Sequence, residues 1–228
     1  MSRTRVELGR REDLGADCAH CFGLCCVALA FSRSSDFPVD KPAGEPCGNL
    51  DAEDSCTIHR RLRPEGFVGC TVFDCFGAGQ KVSTHTFGGV SWRSDAGVRG
   101  QMFAVFPLMR RLHELLWYLD VALALPGADA VLRDAVRIRF ETVLAVTLGA
   151  AEEILAADVD AEFAAARPLL VAASEAARPL LVAASEAARS TPRRRRRHGS
   201  TGSRRAPIWS RRGWRGRTCA APICAARS

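Results

Sequence analysis

Apolar residues follow a helical period only in the second half of this chain. Between Gln101 and Leu125 they recur every three or four positions, which is the spacing of one buried helix face. Pro107 predicts a first turn or a kink, and Pro126-Gly127 predicts the end of the helix. The expected buried stripe comprises Val105, Leu108, Met109, Leu112, Leu115, Leu116, Leu119 and Leu123.

A second amphipathic segment extends from about residue 129 to residue 157. Asp158 or Asp160 is the expected N-cap of a third, shorter helix that begins near Ala161. The pattern therefore predicts an antiparallel helical pair with a shorter helix over residues 98–188. The expected buried positions of the second segment are Val131, Leu132, Val136, Ile138, Val143, Leu144 and Leu148.

A literal repeat closes the helical region. The unit Arg-Pro-Leu-Leu-Val-Ala-Ala-Ser-Glu-Ala-Ala occupies residues 167–177 and again residues 178–188. Eleven residues are close to three helical turns, so the duplication nearly preserves the buried face of a helix. Pro179 is expected to kink or break the segment.

Residues 14–92 differ from the helical region in composition: they are rich in Gly, Cys, Phe and Pro, and their apolar residues follow no long helical period. The first residues of the chain lack the apolar stretch of a secretory signal, and no window has about 20 uninterrupted apolar residues. A cytoplasmic protein is therefore expected, in a compartment where clustered cysteines favour metal over disulfides. Eight of the ten cysteines lie here: Cys18, Cys21, Cys25, Cys26, Cys47, Cys56, Cys70 and Cys75.

These eight cysteines are the predicted metal ligands, for zinc or iron, including an iron–sulfur cluster. The adjacent thiols of Cys25 and Cys26 leave the backbone in different directions, so two ions or a multinuclear cluster fit better than a single zinc. His20 and His59 lie close to candidate ligands in the sequence, although a lone histidine is more often an ordinary polar side chain.

The positive charge of the chain is confined to its end. Residues 189–228 hold 13 Arg and no acidic residue, whereas residues 1–188 carry a net charge of −6. A disordered tail that binds nucleic acid only non-specifically is one interpretation. A second is a shifted reading frame, because GC-rich codons for residues 218–226 read one nucleotide earlier can give Asp-Leu-Arg-Gly-Ala repeats. The nucleotide sequence of the gene would decide between them.

Two groups of motifs resemble known families. Cys18-x2-Cys21-x3-Cys25-Cys26, followed by Pro46-Cys47, Cys56-Thr-Ile-His59 and Cys70, resembles the zinc- or iron-chelating cysteine-cluster family. The longer span from about residue 8 to 188 resembles the N-terminal region of actinobacterial pentapeptide-repeat proteins. That resemblance implies a metal-binding, non-catalytic interaction module ahead of a β-helix with A-D/N-L-x-x repeats.

The predicted fold class is α plus irregular. It comprises a small metal-stabilised cysteine-rich domain at 14–92, an antiparallel helical domain at 98–188 and a disordered tail at 189–228. No nucleophile or phosphate-loop motif points to an enzyme. The alternatives to a metal-binding module are an iron–sulfur redox or electron-transfer protein and a nucleic-acid-binding protein that acts through its tail. The expected partner is a protein of unknown identity, with no membrane.

Overall fold

The protein is described here by a computed structural model that covers residues 12–190. Within that range it is mostly helical and contains no β-strand, only two isolated bridges that pair Phe31 with Lys41 and Leu50 with Cys56. The helical character of the predicted fold class is confirmed. The predicted tail and its two cysteines lie outside the described residues.

The helices in the first part of the sequence are all short, whereas the second part contains three long helices and one short one. The first part has α1 (Leu24–Val27), α2 (Val68–Val72) and α3 (Ala78–Gln80), with 3-10 turns at Glu12–Leu14, Cys18–His20 and His59–Arg61 and a π-helical turn at Lys81–Thr86. The second part has α4 (Ala96–Ala124), α5 (Ala130–Thr147), α6 (Ala151–Ala156) and α7 (Val159–Ser190).

Helix α4 is the central element of the fold. It begins at Ala96 because the side chain of Asp95 accepts hydrogen bonds from the backbone N–H groups of Gly97 and Val98. It ends at Ala124, as Pro126-Gly127 predicted, and Pro107 lies inside it. The predicted stripe is confirmed, since six of its eight residues are at most 1% exposed and Leu108 and Leu123 are partly buried.

The segment predicted as one helix from 129 to 157 is two helices, α5 and α6, separated around Gly149. The expected burial was also wrong at three positions, because Val131, Ile138 and Leu148 are exposed. The buried face of α5 is narrower than the apolar pattern suggests. It follows a strict four-three-four spacing through Val136, Phe140, Val143 and Thr147.

Helix α7 begins at Val159, and the carboxylate of Asp158 accepts a hydrogen bond from the N–H of Ala161, which identifies Asp158 as the predicted cap. Of the kink or break expected at Pro179, the break is wrong, because α7 continues through it to Ser190, and this helix is the longest described rather than a shorter one. Pro179 and Glu175 are both exposed. Water can therefore satisfy the Glu175 carbonyl that loses its partner, and the surrounding Ala and Leu favour the helix.

The two copies of the repeat have different environments in α7. In the first copy, Ala173 and Ala177 are buried at 1% exposure, whereas the second copy is exposed throughout. The turn at Gly127 packs against Ala176 and Leu180, which marks where the packed part of α7 ends. Ion pairs join α7 to its neighbours before the repeat begins. Arg111 of α4 pairs with Asp160, and Arg139 of α5 pairs with Glu162.

This asymmetry gives a matched pair of substitutions. Ala173→Leu should destabilise the protein by about 1–3 kcal/mol, because it adds three carbons to a closely packed site. Ala184→Leu changes the same residue in the identical sequence of the second copy, where the site is exposed, and should alter stability by less than about 0.5 kcal/mol. Urea unfolding of both variants measures the difference, and equal losses would show that the second copy is also packed.

One large hydrophobic cluster joins both parts of the sequence. Leu24 and Val27 of α1 belong to the same cluster as Met102 and Phe106 of α4. Ile58, Leu62 and Phe67 form a second, smaller cluster within the cysteine-rich part. The domain boundary placed between residues 92 and 98 stays a prediction.

By length and composition alone, one helix in the described part of the chain, α7 from Val159 to Arg189, could cross a membrane. Core helices of soluble proteins can have the same length and apolar composition. The first copy of the repeat within this helix packs against the rest of the protein.

Candidate metal-binding thiol cluster

Three of the predicted ligands, Cys18, Cys21 and Cys75, belong to segments that lie near the start of α3, and we call them the first thiol group. A Cβ atom added to Gly79 would lie 2.6 Å from the Sγ of Cys21 and 4.0 Å from the Sγ of Cys75. Glycine at this position therefore leaves the space that both sulfur atoms share. Cys21 and Cys75 pack against the large hydrophobic cluster, and Cys18 is exposed beside them.

Hydrogen bonds fix the backbone around the first thiol group. The N–H of Phe22, directly after Cys21, donates to the hydroxyl of Ser83 at 3.1 Å, and the indole N–H of Trp92 donates to the Phe22 carbonyl at 2.8 Å. The side-chain amide of Gln80 accepts from the N–H of Asp17 and donates to the carbonyl of Gly15. The loop that carries Cys18 and Cys21 is thus tied to the segment that follows Cys75.

Three further cysteines, Cys47, Cys56 and Cys70, surround the small hydrophobic cluster, and we call them the second thiol group. All three pack against the cluster formed by Ile58, Leu62 and Phe67. Cys56 forms an isolated bridge with Leu50, and the Leu50 N–H donates to the Cys47 carbonyl. Local turns thus bring together residues that are far apart in the sequence.

Cys25 and Cys26 lie in α1 between the two thiol groups. Their Sγ atoms are 3.9 Å apart. The Cys26 carbonyl accepts a hydrogen bond from the N–H of Cys47 at 2.9 Å, which connects α1 to the second thiol group. Gly23 allows this helix to begin, because it adopts a φ of 63° where a Cβ atom would press on Leu50 and Asp54.

Six of the eight thiols favour their protonated form when no metal is bound, namely Cys18, Cys21, Cys25, Cys56, Cys70 and Cys75. Burial raises the pKa of Cys21 to about 12 and that of Cys70 to about 11. Burial also raises the pKa values of Cys18, Cys56 and Cys75, and repulsion from the charge of Cys25 adds to each. A bound cation would remove this penalty, because it favours the thiolate form of every ligand.

Lys41 is a component of the cluster that the sequence analysis missed. It is 5% exposed, and its ammonium donates hydrogen bonds to the carbonyls of Val27, Pro42 and Glu45. Burial lowers its pKa, while the charges of Cys47, Cys26 and Cys25 act in the opposite direction. Lys41 is one of only two lysines in this arginine-rich chain, and that rarity was the available signal.

The two candidate histidines are both exposed. The Nδ1 of His20 lies 2.7 Å from a carboxylate oxygen of Asp17, and His59 begins an exposed 3-10 turn.

The donor set fits a thiophilic metal, although the sulfur atoms do not form a closed coordination site. All eight cysteines of residues 12–190 are free thiols. Among the described residues, no three His, Cys, Asp or Glu side chains are spaced to hold an ion as they stand. Metal binding would therefore require side-chain rotations that bring the sulfur atoms together.

A buried histidine near the first thiol group gives a pH prediction. His113 is 3% exposed; its Nδ1 hydrogen-bonds the Phe76 carbonyl, and its Nε2 has no partner within the described residues. Burial lowers its pKa, and the charge of Lys81 lowers it further while Asp13 raises it. The unfolded chain therefore takes up the proton first.

Stability of the metal-free protein should consequently decline as the pH falls below about 6.5, until the lowered pKa of His113 is passed. Urea unfolding at pH 7 and pH 5 measures this decline. His113→Gln should reduce it, whereas His85→Gln, at an exposed position, should leave it unchanged. An undiminished decline in His113→Gln would assign the effect to other groups.

The comparison with known proteins gives one informative relative. Over 163 residues, or 72% of this chain, the sequence is 47% identical to the uncharacterized protein YybG of Bacillus subtilis (strain 168). Those residues make up 58% of YybG, so the chain matches less than two thirds of that relative's length. No family model matches the chain, and no solved structure matches it.

Proposed function

We propose that the cysteine-rich part of this protein binds zinc or iron through its thiols and acts as a metal-stabilised, non-catalytic interaction module. The observation that carries the proposal is a set of eight free thiols between Cys18 and Cys75, in which the sulfur atoms of Cys21 and Cys75 lie beside Gly79 and those of Cys25 and Cys26 are 3.9 Å apart. Thiolates are the protein ligands that soft metals prefer. The sequence resemblance to a zinc- or iron-chelating cysteine-cluster family supports the same chemistry.

Electrostatics also supports a bound cation. Burial, and then repulsion between neighbouring thiols, raises the pKa values of Cys18, Cys21 and Cys70, so their surroundings are unfavourable for thiolates until positive charge enters. The ammonium of Lys41 supplies one positive charge and is held by three carbonyls rather than by a carboxylate. A metal ion would supply the remaining positive charge that the thiolates require.

The wider architecture is part of the proposal. YybG is longer than the region that matches this chain, so that relative holds further sequence outside the match. The resemblance to pentapeptide-repeat proteins suggests that this further sequence is a β-helical surface for a protein partner. We propose a cytoplasmic location, where reduced thiols remain available for metal.

Metal analysis of anaerobically purified protein tests the proposal. The wild type should contain zinc or iron, and Cys21→Ser and Cys70→Ser should each contain less. Cys219→Ser, outside the described residues, is a control that should retain the wild-type content. Bound zinc leaves the protein colourless, whereas an iron–sulfur cluster gives a brown protein with visible absorption. A wild type without metal, or unchanged content in both variants, would contradict the proposal.

A further inference from the structure

We propose that the protein holds two thiophilic divalent ions, one in each thiol group, with Cys25 and Cys26 completing the two ligand sets. This inference rests on the proposed metal binding and adds the number of ions and the assignment of their ligands. It follows from the way the fold separates the cysteines.

The two thiol groups are attached to different parts of the protein. Cys21 and Cys75 pack on the large hydrophobic cluster that includes α4. The second thiol group packs on the small cluster of Ile58, Leu62 and Phe67. Because each group has its own supporting cluster, moving one group to complete the other would expose the apolar side chains beneath it. Two ions therefore fit the fold better than one.

Each thiol group has three sulfur atoms, whereas a structural zinc site takes four ligands. The missing ligand for each group is available in α1. Successive residues of an α-helix point about 100° apart, so the side chains of Cys25 and Cys26 can serve different ions. Backbone contact between Cys26 and Cys47 directs Cys26 to the second thiol group. Cys25 then completes the first.

The 3.9 Å separation of the Cys25 and Cys26 sulfur atoms places the two sites side by side. Two ions bound at this distance would share an electrostatic environment while keeping separate supporting clusters.

Stoichiometry measured on variants tests the assignment. Zn²⁺ is titrated into the reduced, metal-free full-length chain, and bound ions are counted by native mass spectrometry. The wild type should bind two ions. Cys21→Ser should bind one, Cys70→Ser should bind one, and the double variant should bind none tightly. Cys18→Ser, at an exposed position of the first group, repeats the test where folding is least affected, and circular dichroism checks every variant.

Alkylation identifies which thiols hold the remaining ion. In Cys18→Ser loaded with one Zn²⁺, Cys47, Cys56 and Cys70 should be alkylated more slowly than in the metal-free variant, whereas the rates at Cys21 and Cys75 should not change. One ion in the wild type, loss of both ions in each single variant, or protection that mixes the two groups would overturn the assignment and leave metal binding intact. No Zn²⁺ bound to the wild type would overturn the proposed function itself.

Discussion

Gly77→Ala should destabilise the protein by about 3 kcal/mol or more. Gly77 precedes α3 with a φ of 83°, which favours glycine, and a Cβ atom there would collide with the carbonyl oxygen of Asp13. Neither the backbone strain nor the collision can be relieved by turning a side chain. Urea unfolding monitored by far-ultraviolet circular dichroism measures the loss.

Gly100→Ala is the matched control for this prediction. Gly100 is exposed in α4, and an added Cβ atom would meet nothing within 4 Å. Alanine favours the helix there and should stabilise the protein by up to about 1 kcal/mol. Because Gly77 lies between Cys75 and Gly79, Gly77→Ala should also weaken metal binding while Gly100→Ala leaves it unchanged. Similar stabilities for the two variants would contradict the structure around α3.

Removal of metal should produce the second large effect. A ligand present at about 1,000 times its dissociation constant stabilises a folded protein by about 4 kcal/mol. Excess chelator added to anaerobically purified protein should therefore shift the urea midpoint down, and Zn²⁺ should restore it. Mg²⁺ is the control, because it prefers oxygen ligands and should restore nothing.

The same stabilisation should depend on pH. The metal binds thiolates, so each ligand must lose its proton. Burial raises the pKa values of Cys21 and Cys70 well above neutrality. Protons therefore compete with the metal, and the stabilisation should shrink as the pH falls. A chelator that changes neither the midpoint nor its pH dependence would show that the fold does not depend on bound metal.

The helical half of the fold could be predicted from the sequence because burial repeats along α4 at every turn. Prediction failed where a tertiary contact decides the outcome. Ile138 of α5 is apolar yet exposed, because α5 presents only a narrow face to its neighbours. Pro179 lies within α7, because its side of the helix faces solvent.

The identity of the thiols was evident from the sequence, whereas their arrangement was not. Cys70 and Cys75 are only five residues apart in the sequence. In the structure, Cys75 lies by Gly79 and Cys21, while Cys70 packs with Cys47 and Cys56. Cys70 and Cys75 separate in space because α2 ends between them. The hydrophobic cluster against which each of the two residues packs determines its thiol group. Lys41 was missed because nothing local to it indicates burial.

X-ray absorption at the metal edge of anaerobically purified protein tests the central claim most directly. The account predicts a first coordination shell of sulfur only, with four ligands per ion at about 2.3 Å if the metal is zinc. A shell of nitrogen or oxygen at about 2.0–2.1 Å without sulfur would contradict it, because the metal would then be bound away from the thiol cluster.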